Sequence, residues 1–115
     1  MENQMKDFLL IRKGSQNFWN HLAADERKRI MSEFTSFVND LNKEGRVRGG
    51  HDVHSGIGLS KGSNGIVVDG PFAETKETLN GYLIFKAANM DDALACAKRC
   101  PALGYGESLE MYEMN

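Results

Sequence analysis

The chain contains two prolines and two cysteines in 115 residues. The cysteines, Cys96 and Cys100, lie four apart on an expected helix, where a disulfide has poor geometry. They therefore read as free thiols of a cytoplasmic protein. No apolar run approaches the ~20 residues of a membrane span. The opening Met1-Glu2-Asn3-Gln4-Met5-Lys6 lacks the basic-then-apolar form of a secretion signal. Charge of one sign is also missing: 14 Lys and Arg face 16 Asp and Glu, for a net charge of -2. That argues against a general nucleic-acid binder, which needs a basic face to neutralise phosphates. Lys43, Arg46 and Arg48 form the nearest basic cluster and read as solvated charges. Phosphate loops, dinucleotide glycine fingerprints, HExxH and CxxC are all absent, so no metal or cofactor is expected. Ser55, Ser60 and Ser63 lie near histidines, but no nucleophile-elbow pattern supports a triad.

What remains is an ordinary globular balance, 41% hydrophobic and 26% charged, in a length that fits one domain over residues 1–115. Phe8-Leu9-Leu10-Ile11 is a short apolar run suited to a buried strand. Gln16 to Leu22 reads as a short turn that lids the core with Phe18 and Trp19. Ile30, Phe34, Phe37 and Leu41 recur at helical spacing, with acids toward the amino end and Gly45 just past the stripe. Residues 47–68 are glycine-rich, and Lys61-Gly62-Ser63-Asn64 has the composition of a hairpin turn between short strands. Gly81-Tyr82-Leu83-Ile84-Phe85 is a further strand. Asn89 is a natural N-cap for a helix from about Met90 to Arg99, which Pro101 stops. Ser108 to Glu113 alternates polar and apolar, as a half-buried strand does. The order predicts an α+β fold: a ferredoxin-like sandwich, its antiparallel sheet covered on one face by two main helices, with an inserted hairpin. The other sheet face also carries apolar side chains, and a face-to-face homodimer would bury it.

Two stretches concentrate reactive residue types. Asp69-Gly70-Pro71-Phe72-Ala73-Glu74-Thr75-Lys76-Glu77 carries Asp69 at the expected end of a strand. An Asp often accepts the N–H two residues on, but here that residue is Pro71, which has none. Asp69 is either a turn-former or cap, or a carboxylate aimed into a cleft as base or ligand anchor. Pro71 fits the first position of one helical turn, with Glu74 inside it. His51-Asp52-Val53-His54 offers two imidazoles for proton transfer or metal binding. Strand alternation separates His51 and Val53 from Asp52 and His54, which weakens a metal site built from this segment alone. Histidines in a glycine-rich loop also occur simply as surface residues.

Val67-Val68-Asp69-Gly70-Pro71-Phe72-Ala73-Glu74-Thr75-Lys76-Glu77, followed by Gly81-Tyr82-Leu83-Ile84, resembles the signature of the DGPF proteins in the YCII-related group. Met90-Asp91-Asp92-Ala93-Leu94, Arg99-Cys100-Pro101-Ala102 and Gly45-Arg46-Val47-Arg48-Gly49-Gly50 extend the likeness over nearly the whole chain. The resemblance implies a dimeric α+β barrel in bacterial cytoplasm, with a pocket between sheet and helices. Related members carry a His–Asp pair suggestive of acid/base catalysis, its histidine on the first long helix. Residues 25–44 contain no histidine here, so that pair is not carried over, whereas Asp69 matches the motif's acidic position. Two functional expectations follow. One is an acid/base enzyme acting without a cofactor on a small polar organic molecule, by isomerisation, lactone-type hydrolysis or elimination. Asp69 would be base or anchor, His51 or His54 its proton-transfer partner and Glu74 a secondary acid. The other is a non-catalytic ligand-binding or partner-docking module, in which Asp69 does not converge with a histidine.

Overall fold

The computed structural model describes residues 4–15, 19–53, 56–71 and 77–114, and for 69–71 it describes the main chain. The elements are β1 (Lys6–Ser15), α1 (Ala24–Lys43), β2 (Val47–Asp52), β3 (Ile57–Gly62), β4 (Gly65–Pro71), β5 (Glu77–Ala87), α2 (Met90–Ala97), a short 3-10 turn (Pro101–Tyr105) and β6 (Ser108–Glu113). Four strands form one antiparallel sheet in the order β2-β5-β1-β6, and β3 with β4 forms a separate antiparallel pair. This is the expected α+β, ferredoxin-like arrangement with an inserted hairpin.

Strand alternation explains the core. Phe8 and Leu10 of β1 lie opposite Phe85 and Leu83 of β5, so all four share a face. That face meets the apolar stripe of α1 at Phe37 and Leu41 and the small residues Ala93, Cys96 and Ala97 of α2. Phe8 and Phe85 are fully buried with ring centroids 6.4 Å apart. Cys96 and Cys100 are free and buried in the same cluster; Cys96 packs from α2, whereas Cys100 lies past the end of that helix in extended backbone before the 3-10 turn.

The ends of the helices follow local chemistry. Gly45 takes φ +76° after α1, where a side chain would be strained. The Asn89 side chain accepts from the Asp92 N–H at 2.9 Å and caps α2. Arg46 then joins both helices to the sheet. It donates to Asp92 at 2.9 Å and to Glu44 at 2.9 Å, while Arg99 donates to Glu44 at 2.7 Å. Arg99 and then Arg46 hold the Glu44 carboxyl below its ordinary pKa, and Arg46 with the Ala88 N–H does the same for Asp92. Arg48 pairs with Asp7 at 3.1 Å. The basic cluster seen in the sequence is thus largely neutralised within the chain.

One expectation needs correcting. Asp69 does not end a strand, and Pro71 does not begin a helical turn. β4 runs on through both, with Gly70 opposite Gly58 and Pro71 opposite Ile57. Paired glycines let the backbones continue, and proline is tolerated at the end of an edge strand because no ladder bond is then lost. Val68 lies opposite Leu59 and Gly70 opposite Gly58, so Asp69 is the extra residue of a β-bulge. Phe72 to Lys76, including Glu74, lie outside the described residues, as do Phe18, His54 and Ser55.

Candidate functional site

A cavity of about 490 Å³ opens between α1 and the β2 side of the sheet. Its volume is within the range of small-molecule pockets. Leu10, Phe34, Phe37, Val38, Val47 and Leu83 give it apolar walls, and Arg12 and Asp52 form its polar end. A second cavity of about 260 Å³ lies beyond them, bordered by Trp19, Arg27, Met31 and Asn80. Arg12 and Asp52 line both cavities, so the pair stands between them.

Arg12 reaches this position because it continues the inward alternation of Phe8 and Leu10. Its register partner is Gly81. A Cβ at residue 81 would collide with the Arg12 guanidinium, so the glycine makes the seat. The next residue back, Asn80, is the extra residue of a register shift: Arg12 pairs with Gly81 and Lys13 with Leu79. This second bulge frees the Asn80 carbonyl, which accepts from the Val53 N–H at 2.8 Å and from Arg12 at 3.3 Å.

The guanidinium is gripped from two sides. Arg12 Nη1 donates to Glu107 Oε1 at 3.0 Å, and Arg12 Nη2 donates to Asp52 Oδ1 at 2.7 Å. Asn80 Nδ2 also donates to Glu107, at 2.8 Å. The guanidinium carbon sits 4.5 Å from the Phe34 ring centroid, a cation–π distance. The two carboxylates differ sharply in setting. The Glu107 side chain is 3% exposed and that of Asp52 is 70% exposed. Glu107 is therefore a fixed counter-ion, and Asp52 is a partner that can turn out into water.

His51 and Asp52 are neighbours on β2 but face opposite ways, as alternation requires. Asp52 meets Arg12 on the helix side. The His51 ring lies 6.3 Å from Tyr82 on the other face, near the strand edge bordering the cavity. Asp69 is placed by its backbone alone, at the β4 bulge. His54 and Glu74 lie outside the described residues. Among the described residues, no group of three His, Cys, Asp or Glu side chains is arranged to hold a metal ion.

The sequence reading did not single out Arg12, Asn80 or Glu107. Glu107 follows Gly106, whose φ of +79° ends the 3-10 turn. That glycine marks a turn and carries no sign of a buried acid. The contact with Arg12 spans 95 positions and exists only once β1 and the 3-10 turn are packed.

No helix among the described residues is long and apolar enough to cross a membrane. An uncharacterized protein of Rhizobium meliloti (strain 1021) is 54% identical over 33 residues, covering 29% of this chain and 27% of that protein. The match thus spans about a quarter of that relative's length. The model of the YCII-related domain matches residues 6–115. With its two helices on one face of an antiparallel sheet and a cavity between α1 and that sheet, the chain belongs to the YCII-related family.

Proposed function

We propose that this protein binds a small organic acid in the cavity beneath α1, the apolar body against Phe34, Phe37 and Leu83 and the carboxylate on Arg12. One observation carries the reading: Arg12 ends an apolar cavity with one counter-ion buried and the other removable. A ligand carboxylate that replaces Asp52 keeps the charge balance at Arg12, and the released Asp52 is rehydrated at little cost. Arg27 on the second cavity adds positive charge on the same side. Calorimetric titration with aromatic and aliphatic carboxylates, each beside its amide, tests this. The acid is expected to bind at least about tenfold tighter than its amide, a difference of ~1.4 kcal/mol. Asp52→Asn removes the competing carboxylate and is expected to tighten binding of the acid. Equal affinity for acid and amide, or loss of acid binding in Asp52→Asn, would refute the proposal.

The reading extends to acid/base chemistry at the same pocket, with Asp69 as base or anchor, His51 or His54 as proton partner and Glu74 as secondary acid. The support is the DGPF motif and the bulge at Asp69, because bulges recur beside active sites. An activity on the bound acid that survives Asp69→Asn would exclude that role and leave a binding module. We also take the working form to be a homodimer in the bacterial cytoplasm, outer sheet face against outer sheet face. Leu9 and Ile11 of β1 with Tyr82 and Ile84 of β5 form a half-buried apolar patch on the face away from the helices.

A further inference from the structure

Among the described residues, the β3–β4 hairpin pairs with no strand of the main sheet. Alternation about the Leu59–Val68 and Lys61–Ile66 pairs puts Ile57, Leu59, Ile66 and Val68 on one face of it. These four are 59%, 67%, 74% and 61% exposed. At ~200 Å² for a fully exposed aliphatic residue they leave roughly 500 Å² of apolar surface in water, the size of the largest patch on a typical monomer, which is often functional. A two-stranded hairpin alone is marginally stable, so this face needs cover. The radius of gyration is 16.5 Å, against about 13 Å for a compact chain of this length, which fits a hairpin standing off the domain.

We propose that this hairpin is a clasp that lays its apolar face on a second copy of the same chain, beside the partner's outer sheet face. The proposal rests on the sheet-face dimer. A stable interface takes about 800 Å² from each partner, and the hairpin alone falls short of that. The outer sheet face supplies the remainder. Both surfaces lie on one chain, so a two-fold axis closes the hairpin of each copy onto the other at once. A different protein seated on the hairpin would leave the sheet patch uncovered.

Sedimentation of the full chain and three variants tests this. Leu59→Ser with Val68→Ser alters the hairpin face, Ile84→Asp alters the sheet face, and Val67→Thr alters the opposite hairpin face as a control. The wild type is expected to dimerise, with its dimer Kd raised about tenfold or more by the hairpin double substitution and left within about twofold by Val67→Thr. A wild-type dimer that Ile84→Asp dissociates but the hairpin double substitution does not would overturn the clasp and leave the sheet-face dimer standing. A wild type that stays monomeric at about 100 μM would overturn both. If the double variant does not fold, hydrogen exchange on the wild type decides. Amides of Leu59 to Val68 are expected to be protected at dimer concentrations and to lose protection on dilution. Equal, fast exchange at both concentrations overturns the clasp.

Discussion

Replacing Glu107 with leucine removes the fixed counter-ion of Arg12 and the acceptor of Asn80 Nδ2 in one step. Both contacts are short, 3.0 Å and 2.8 Å, and the acid is almost wholly out of water. Arg12 keeps Asp52 and the Asn80 carbonyl, but Asp52 is exposed and screened by solvent. Breaking a buried pair by deleting one member costs about 3–5 kcal/mol, because the remaining charge is left without compensation. A chain of 115 residues has an unfolding entropy near 0.24 kcal/mol/K, so the melting temperature should fall by roughly 12–20 °C. Glu107→Gln keeps the shape and one acceptor oxygen, and the expected loss is smaller, about 1–2 kcal/mol. The double variant Arg12→Met with Glu107→Leu puts apolar groups on both sides and should recover most of the loss, since isosteric apolar replacement of a buried pair is often neutral. Urea denaturation with linear extrapolation reads all three. If Glu107→Leu lost less than about 1 kcal/mol, or the double variant were less stable than the single, the account of Glu107 as a buried counter-ion would be wrong.

Three further outcomes are expected. Gly81→Ala forces the Arg12 guanidinium from its seat and should cost about 1–3 kcal/mol in thermal denaturation; an unchanged melting temperature would show that the guanidinium has room to move. The lowered carboxyl pKa values of Glu44 and Asp92 mean that their stabilisation is complete above their ordinary values of 4.5 and 3.8 and is lost as pH falls through the still lower folded values. Asp92→Asn should therefore lose less stability than wild type between pH 6 and pH 2, read from urea midpoints, and an identical acid profile would contradict the assignment. Burial pushes the Cys96 and Cys100 thiols above their ordinary pKa, so a thiol reagent at neutral pH should react slowly with native protein and quickly in denaturant; an immediate reaction of either native thiol would count against the packing described.

The elements were legible where a single period runs unbroken. The Ile30–Phe34–Phe37–Leu41 stripe marked α1 because its spacing is local, and Asn89 marked the start of α2 because its cap bond is made three residues away. Asp52 could be noticed as a carboxylate, but its role could not, because Arg12 lies 40 positions upstream. Asp69 looked like a turn or strand-end residue, and nothing in the sequence singled out Asn80. Each is the extra residue of a bulge, and a bulge is set by the register of the neighbouring strand, which no local pattern records. Glu107 sat in a polar stretch and gave no sign that it would be buried.

The Asn80 bulge also reverses the parity of β5. Beyond it the odd positions Gly81, Leu83, Phe85 and Ala87 face the helices. Before it the even position Thr78 lies opposite buried Gly14, while Leu79 lies opposite Lys13 and is 37% exposed. The Thr78 hydroxyl oxygen is buried without a hydrogen-bond partner among the described residues. Deleting Asn80 would rejoin the two halves into one regular ladder, with Leu79 still opposite Lys13 and Thr78 still opposite Gly14. Every other β5 side chain would then keep its face, and the Asn80 contacts to Arg12, Val53 and Glu107 would be lost. A one-residue deletion can therefore weaken the polar end of the cavity while leaving both halves of the ladder in register, so length variation at this point in related chains would divide them by pocket chemistry while leaving the fold intact.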